Sequence, residues 1–190
     1  MKVELKMNDK SIQAEISEGQ LKELGLFEQL KKLGLIEDKP KTGYERIKKG
    51  ETYYVINTED DSMLNITEFN DQTDERCYNK GNYYNDKVIA KNNARADKLL
   101  RKLRQWQALN DEPVNKRDLM QLIFTIGYDY KKDDAGNDAG LYAYSYHRPV
   151  SFGEIHFSTR DKVKEAINVF KDELTWYFTE YQQRLDETMQ

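Results

Sequence analysis

Apolar and polar residues alternate twice at the start of the chain. Val3, Leu5 and Met7, then Ile12, Ala14 and Ile16, recur at every second position, with Asn8-Asp9-Lys10 between the two runs. That pattern predicts a β-hairpin over residues 2–7 and 11–16. Ser17 with Gln20 three residues later has capping-box spacing and marks a helix start. The segment Gln20–Glu28 is then echoed by Gln29–Glu37, each copy holding Leu-Gly-Leu, at residues 24–26 and 33–35. A glycine after a helical run, followed by an apolar residue, is a helix stop. The doublet therefore predicts two short helices, or one helix kinked at Gly25. Nine residues are too few for a solenoid repeat. Residues 37–43 are polar and contain Pro40 and Gly43, which reads as a linker and a subdomain boundary.

Beyond the linker, Thr52–Asn57 reads as a strand and Ser62–Phe69 as a weaker one. Asn85 is a candidate N-cap for a helix reaching about Leu109, with Ile89, Ala96, Leu99, Leu100, Leu103 and Trp106 on one stripe and Pro113 just past its end. Leu119–Tyr130 is β-rich, Lys131–Gly140 reads as a hairpin loop, Leu141–His147 as the return strand and Glu154–Phe157 as a third short strand. Ser158 as N-cap and Asp161 as first-turn acid then open a helix with Val163, Ile167, Phe170, Leu174, Tyr177, Phe178, Tyr181 and Leu185 on its apolar side. Residues 44–109 and 116–187 thus share a plan of strands followed by a long helix, and both helices open with Asp-Lys-Val, at 86–88 and 161–163. The two are read as a candidate duplication. The expected class is α+β: an N-terminal β-hairpin with short helices over 1–38, then strand-rich units with one long amphipathic helix each over 39–110 and 111–190.

Composition narrows the class. The 190 residues are 34% charged and 38% hydrophobic, and the 13 tyrosines argue against disorder. A single Cys excludes a disulfide framework and a cysteine-based zinc site. No run approaches the roughly 20 apolar residues of a membrane span, and residues 1–6 carry no signal-peptide core. The expectation is a soluble, cytoplasmic protein, with no membrane contact.

The net charge of −4 hides an asymmetry. Residues 51–80 hold eight acids against Arg76 and Lys80, while residues 85–104 hold seven bases against Asp86 and Asp97. Within the first stretch, Glu59, Asp60 and Asp61 form a compact triad able to imitate phosphate. Within the second, Lys87, Lys91, Arg95, Lys98 and Arg101 recur at three and four residues and form a basic stripe able to track phosphates. The plainer reading is that the two stretches screen each other across the fold. A sequence pI near 5.4 does not suit a dedicated nucleic-acid binder.

Tyr142, Tyr144 and Tyr146 alternate along one strand and therefore share a face, which Tyr128 and Tyr130 would extend from the preceding strand. An exposed row suits protein recognition or base stacking. The favoured alternative has the last helix cover it, through Phe170, Tyr177 and Tyr181. Reactive constellations are not evident. His147 and His156 lack metal spacing, Asp129, Asp133, Asp134 and Asp138 lack calcium-loop spacing, no phosphate-cradling glycine motif occurs, and Cys77 reads as a passive thiol. No enzyme activity, cofactor or metal is expected.

One resemblance adds a setting. Lys41–Tyr54, Asn82-Tyr83-Tyr84, Asn92–Leu99 and Asp172–Tyr181 resemble segments of a broad group of small accessory proteins carried by phages, prophages and conjugative elements of Gram-positive bacteria. The likeness runs to about residue 185; the doubled Leu-Gly-Leu segment departs from it. Neighbouring genes in such regions include inhibitors of host defence, anti-CRISPR proteins among them. The resemblance implies a mobile-element protein, and the expectation is that it binds and inhibits a host protein, such as an RNA-guided nuclease. Contact would run through Glu59, Asp60, Asp61 and the tyrosine row. The alternative is an accessory protein that binds nucleic acid through the basic helix.

Overall fold

The computed structural model describes residues 2–7, 10–15, 17–23, 25–32, 41–115, 122–131, 140–146 and 155–187. Two compact units emerge, Met1–Pro40 and Lys41–Gln190. The class is α+β, and both strand-plus-helix segments lie within the second unit.

In the first unit β1 (Lys2–Met7) pairs antiparallel with β2 (Lys10–Glu15), as the alternation predicts. The capping box also forms: Gln20 N donates to Ser17 Oγ (3.2 Å) and Ser17 N to Gln20 Oε1 (2.9 Å). Helix α1 (Glu18–Glu23) ends at Gly25, whose φ of +67° is the left-handed conformation a helix stop requires. Gly25 N donates to Lys22 O and Leu26 N to Leu21 O, the paired bonds of a Schellman motif. Helix α2 (Phe27–Lys32) follows. The turn at Asn8-Asp9, the second Leu-Gly-Leu and most of the linker lie outside the described residues.

The second unit opens with β3 (Thr52–Ile56) and β4 (Met63–Thr67), an antiparallel hairpin covered on both faces. One face places Tyr53 and Val55 against Tyr83 and Cys77; the other places Tyr54, Ile56 and Met63 against Ile89 and Ala90. Cys77 belongs to α3 (Gln72–Asn79), a helix that the reading of this stretch as a plain acidic run missed. Its start was written in the sequence: Asp71 caps Thr73 N and Asp74 N, and the Asp74 carboxylate accepts from Asp71 N. Helix α4 (Lys87–Asn110) is capped by Asp86, not by Asn85 as expected. The Asp86 carboxylate takes the free amides of Val88 and Ile89, whereas Asn85 Nδ2 donates back to Glu45.

The hairpin of β5 (Ile123–Asp129) and β6 (Gly140–Tyr146) is the third two-stranded sheet. The expected strand at Glu154–Phe157 is reduced to one bridge, Phe124 with Phe157, and its first residue lies outside the described residues. Tyr54 bridges Tyr84 in the same way. Each bridging aromatic sits two residues before a helix N-cap, so it ties the sheet to the helix that follows. Helix α5 (Arg160–Thr179) is capped by Thr159, not Ser158, whose hydroxyl and amide are instead bound by Asp111. The Asp-Lys-Val triplets are therefore out of register: Asp86 is a cap and Asp161 lies inside its helix.

Helices α4 and α5 share the main core. Leu99 and Leu103 meet Phe157, Val163, Ala166 and Leu174, with Phe124, Ile126, Leu141 and Ala143 packed beneath. Burying a side chain of this size contributes roughly 1.5–3 kcal/mol. Helix α5 breaks locally at Phe170 (φ −113°, ψ 20°). Residues beyond α5 return to the beginning of the unit: Leu185 N donates to Thr42 O, the Tyr181 hydroxyl to Asn93 Oδ1 (2.9 Å) and Asn92 Nδ2 to Gln182 O. Among the described residues no helix is long and apolar enough to cross a membrane.

Candidate functional site

Three sets of residues were singled out by sequence, and the fold treats each differently. The acidic triad occupies the β3–β4 turn. Asp61 adopts φ +59°, which an aspartate tolerates, and its carboxylate reaches α4, pairing with Lys98 (3.3 Å) and with Arg101. Asp60 accepts from Ser62 N; the Ser62 hydroxyl and that amide together hold its carboxyl below the usual value, and Glu59 is exposed. The triad is split: one member is committed to the basic stripe, so screening between the two charged stretches is what this turn achieves.

The stripe on α4 is likewise divided. The Arg95 guanidinium lies over the Trp176 ring at 4.0 Å, and its Nε donates to Glu173 (2.8 Å), fastening α4 to α5. Lys98 and Arg101 hold Asp61. Lys87 and Lys91 are exposed and have no ion pair among the described residues.

The tyrosine row is the set the fold leaves open. Register decides this. Ile126 faces Ala143, Phe124 faces Ser145 and Tyr128 faces Leu141, so these residues form the side that α4 and α5 cover. Tyr142, Tyr144 and Tyr146 pair with Gly127, Thr125 and Ile123 on the opposite side. Cover by the last helix is thus overturned: Phe170 and Tyr177 enter the helix-side core, and Tyr181 joins Asn93. Tyr128 does not extend the row either, since its ring stacks on Phe178 at 5.6 Å. Tyr130 sends its hydroxyl to the Phe178 carbonyl.

Tyr142 and Tyr144 remain 39% and 47% exposed, among the most open aromatics of the unit. Their rings form a chain: Tyr142 to Tyr144 at 6.3 Å, Tyr144 to Tyr146 at 5.6 Å. Tyr146 anchors it, its hydroxyl 2.9 Å from Nε2 of the buried His156. Tyr142 folds over Gly127, where a Cβ would lie only 2.7 Å from the ring. Glycine is needed there to let the ring down onto the strand. Burial, with Asp129 and Tyr144 beside it, pushes the Tyr142 phenol above its usual value, so Tyr142 presents a neutral hydroxyl. Residues 132–139, including Asp133, Asp134 and Asp138, and His147 lie outside the described residues.

A fourth arrangement escaped the sequence reading. Glu68 and Asp74 are both buried, at 0% and 2% exposure. The Tyr83 hydroxyl donates to Glu68 (2.7 Å) and the Tyr53 hydroxyl to Asp74 (2.8 Å), while the two rings stack at 4.0 Å. Arg46 pairs with Glu68 (3.2 Å) and with Glu75. Burial alone would raise the Asp74 carboxyl, but bonds from Asp71 N, the Tyr53 hydroxyl and Phe69 N outweigh it and hold the group at about 2. Burial and the Glu68 carboxylate push the Tyr83 phenol up to about 12. The only sequence signal for this network was a pair of acids flanking the Asp71 cap. Its two carboxylates and two phenols have a structural duty, closing α3 onto the β3–β4 hairpin.

Among the described residues no three His, Cys, Asp or Glu side chains converge as a metal site. Comparison with family models, with curated proteins and with solved structures returned no match.

Proposed function

We propose that this chain is a non-enzymatic binding protein of a phage or other mobile element, and that it engages a host protein through the Tyr142–Tyr144 surface of the β5–β6 hairpin. The observation that carries the reading is an aromatic row held open on the side of the hairpin that the helices do not cover. Tyrosines offer large contact area with few rotamers to freeze, which is why they concentrate binding energy at protein interfaces. A nucleic-acid stacking platform sets its aromatics within a basic groove. Here Arg95, Lys98 and Arg101 of α4 turn to Glu173, Trp176 and Asp61, while the row itself has Asp129 as a neighbour. The partner class that the resemblance suggests is a nucleic-acid-handling defence complex of the host cytoplasm. Glu59 and Asp60 would contribute at most a rim, since Asp61 is held by Lys98 and Arg101.

The second reading, nucleic-acid binding by α4, draws on the exposed Lys87 and Lys91, which have no ion pair among the described residues. Affinity capture from host lysate separates the two. The expected result is a partner retained after nuclease treatment, lost with Tyr142→Ser/Tyr144→Ser and kept with Lys87→Glu/Lys91→Glu. Capture that vanishes with nuclease and with the lysine reversal would transfer the function to α4.

A further inference from the structure

Among the described residues, the backbone of β6 has an unused side. Phe124 exchanges both of its main-chain bonds with Phe157 (3.3 and 2.8 Å). A residue of an antiparallel ladder that bonds to one side does not bond to the other, so Phe124 and Ser145 form a non-hydrogen-bonded pair. Alternation along the ladder gives Ala143 and Leu141 the same character. The N–H and C=O groups of Leu141, Ala143 and Ser145 therefore point away from β5. β6 is the last strand of its sheet, and these groups have no partner among the described residues.

Edges of this kind are usually blunted by a charge or a proline. The β6 sequence Gly-Leu-Tyr-Ala-Tyr-Ser-Tyr has neither. Beside it lies a depression of about 400 Å³, bounded by Leu141, Tyr142 and Ala143 and by Arg160, Lys164 and Ile167 of α5. Arg160 has no ion pair among the described residues, and Lys164 has only the exposed Asp161 at 3.6 Å.

We propose that the outer edge of β6 accepts an extended acidic segment of the protein partner as an added strand. Main-chain bonds to Leu141, Ala143 and Ser145 would seat it. Its side chains would alternate, acids on the α5 side towards Arg160 and Lys164, apolar residues on the other side against Tyr142 and Tyr144. The inference rests on β5–β6 being the contact surface and adds the chemistry of what binds there. Charge selects this occupant over a second copy of the chain: a charge-free β6 laid in the depression would leave Arg160 and Lys164 uncompensated and bring a second such pair nearby.

The test uses the full chain and a fluorescein-labelled decapeptide of alternating Glu and Val, with a Lys-Val counterpart, read by fluorescence anisotropy. The Glu peptide is expected to bind, at least tenfold more weakly to Arg160→Glu/Lys164→Glu, and not to Ala143→Pro. That proline removes an amide pointing away from β5, so the hairpin loses no ladder bond. Hydrogen exchange supplies a readout independent of the variants: the peptide should slow exchange at Leu141, Ala143 and Ser145. The amides of Tyr142 and Tyr144, already bonded to β5, should change little. No binding, equal binding of the Lys peptide, indifference to the charge reversal, or no slowing at those three amides overturns the proposal. So does a dimer in sedimentation that Ala143→Pro dissolves, which would assign the edge to a second copy. Failure of the peptide alongside tyrosine-dependent capture of a host protein would remove the edge and leave the tyrosine surface standing. Peptide binding without tyrosine-dependent capture would do the reverse.

Discussion

Replacing Asp74 by alanine should cost about 3–4 kcal/mol, far more than an acid in a charged, polar stretch ordinarily would. The carboxylate accepts three bonds, from the Tyr53 hydroxyl (2.8 Å), Phe69 N (2.8 Å) and Asp71 N (3.1 Å), and is 2% exposed. Removing it strands the hydroxyl of Tyr53, a residue that is 0% exposed, at roughly 1–3 kcal/mol. It also opens the reciprocal cap of α3, worth roughly 0.5–2 kcal/mol. Tyr53→Phe leaves the two backbone donors in place and should cost about 1.5 kcal/mol, the worth of one bond to a charged acceptor. The double variant should then be less destabilised than the sum, with a coupling of about 1–2 kcal/mol. Urea unfolding followed by tryptophan fluorescence measures all of this, because Trp106 and Trp176 sit on α4 and α5 and not on α3. A loss under 1 kcal/mol for Asp74→Ala, or no coupling, would refute the network. A tryptophan transition unmoved by a large loss of far-ultraviolet signal would refute cooperative folding of residues 41–190.

Further outcomes follow from the same geometry. Asp74 and Glu45 are both held at about 2, against 3.8 and 4.5 for the free groups: burial raises Glu45, but Thr42 N, the Thr42 hydroxyl and Asn85 Nδ2 outweigh it. Depressed carboxyls contribute stability that is fully present above their unfolded values and is lost as pH falls from about 4.5 to about 2. The urea midpoint should drop across that window, and Asp74→Asn should flatten the drop. Gly43 has φ +96°, and a Cβ there would lie 3.0–3.2 Å from the Ile89 side chain, so Gly43→Ala should cost about 2 kcal/mol or more in the same urea assay. Asp61→Lys sets a cation against Lys98 and Arg101 and should cost about 1 kcal/mol, whereas Glu59→Lys/Asp60→Lys should leave the thermal midpoint in place.

Local order was legible in the sequence where a local rule governs it. Alternation gave the first hairpin, composition gave the strands of the other two, the apolar stripes gave α4 and α5, and Gly25 marked its stop. Helix α3 was missed because its composition is polar and acidic, although the Asp71–Asp74 cap was present to be read. The N-caps slipped by one residue because Asn85 and Ser158 resemble caps chemically but are drawn to Glu45 and Asp111. Placement of the candidate site was less accessible. Period two puts Tyr142, Tyr144 and Tyr146 on one face, yet only the pairing register shows which face the helices cover and that Tyr128 lies on the other. The acidic triad and the basic stripe were visible as charges, but their meeting spans about 40 residues of chain and depends on how the β3–β4 turn lies against α4.

The most direct measurement is site-specific photocrosslinking in nuclease-treated host lysate, with a benzophenone amino acid at position 144 in one protein and at position 91 in another. The account predicts a discrete protein adduct from position 144 and none from position 91. An adduct from position 91 alone, or one that disappears when nucleic acid is digested, would contradict it.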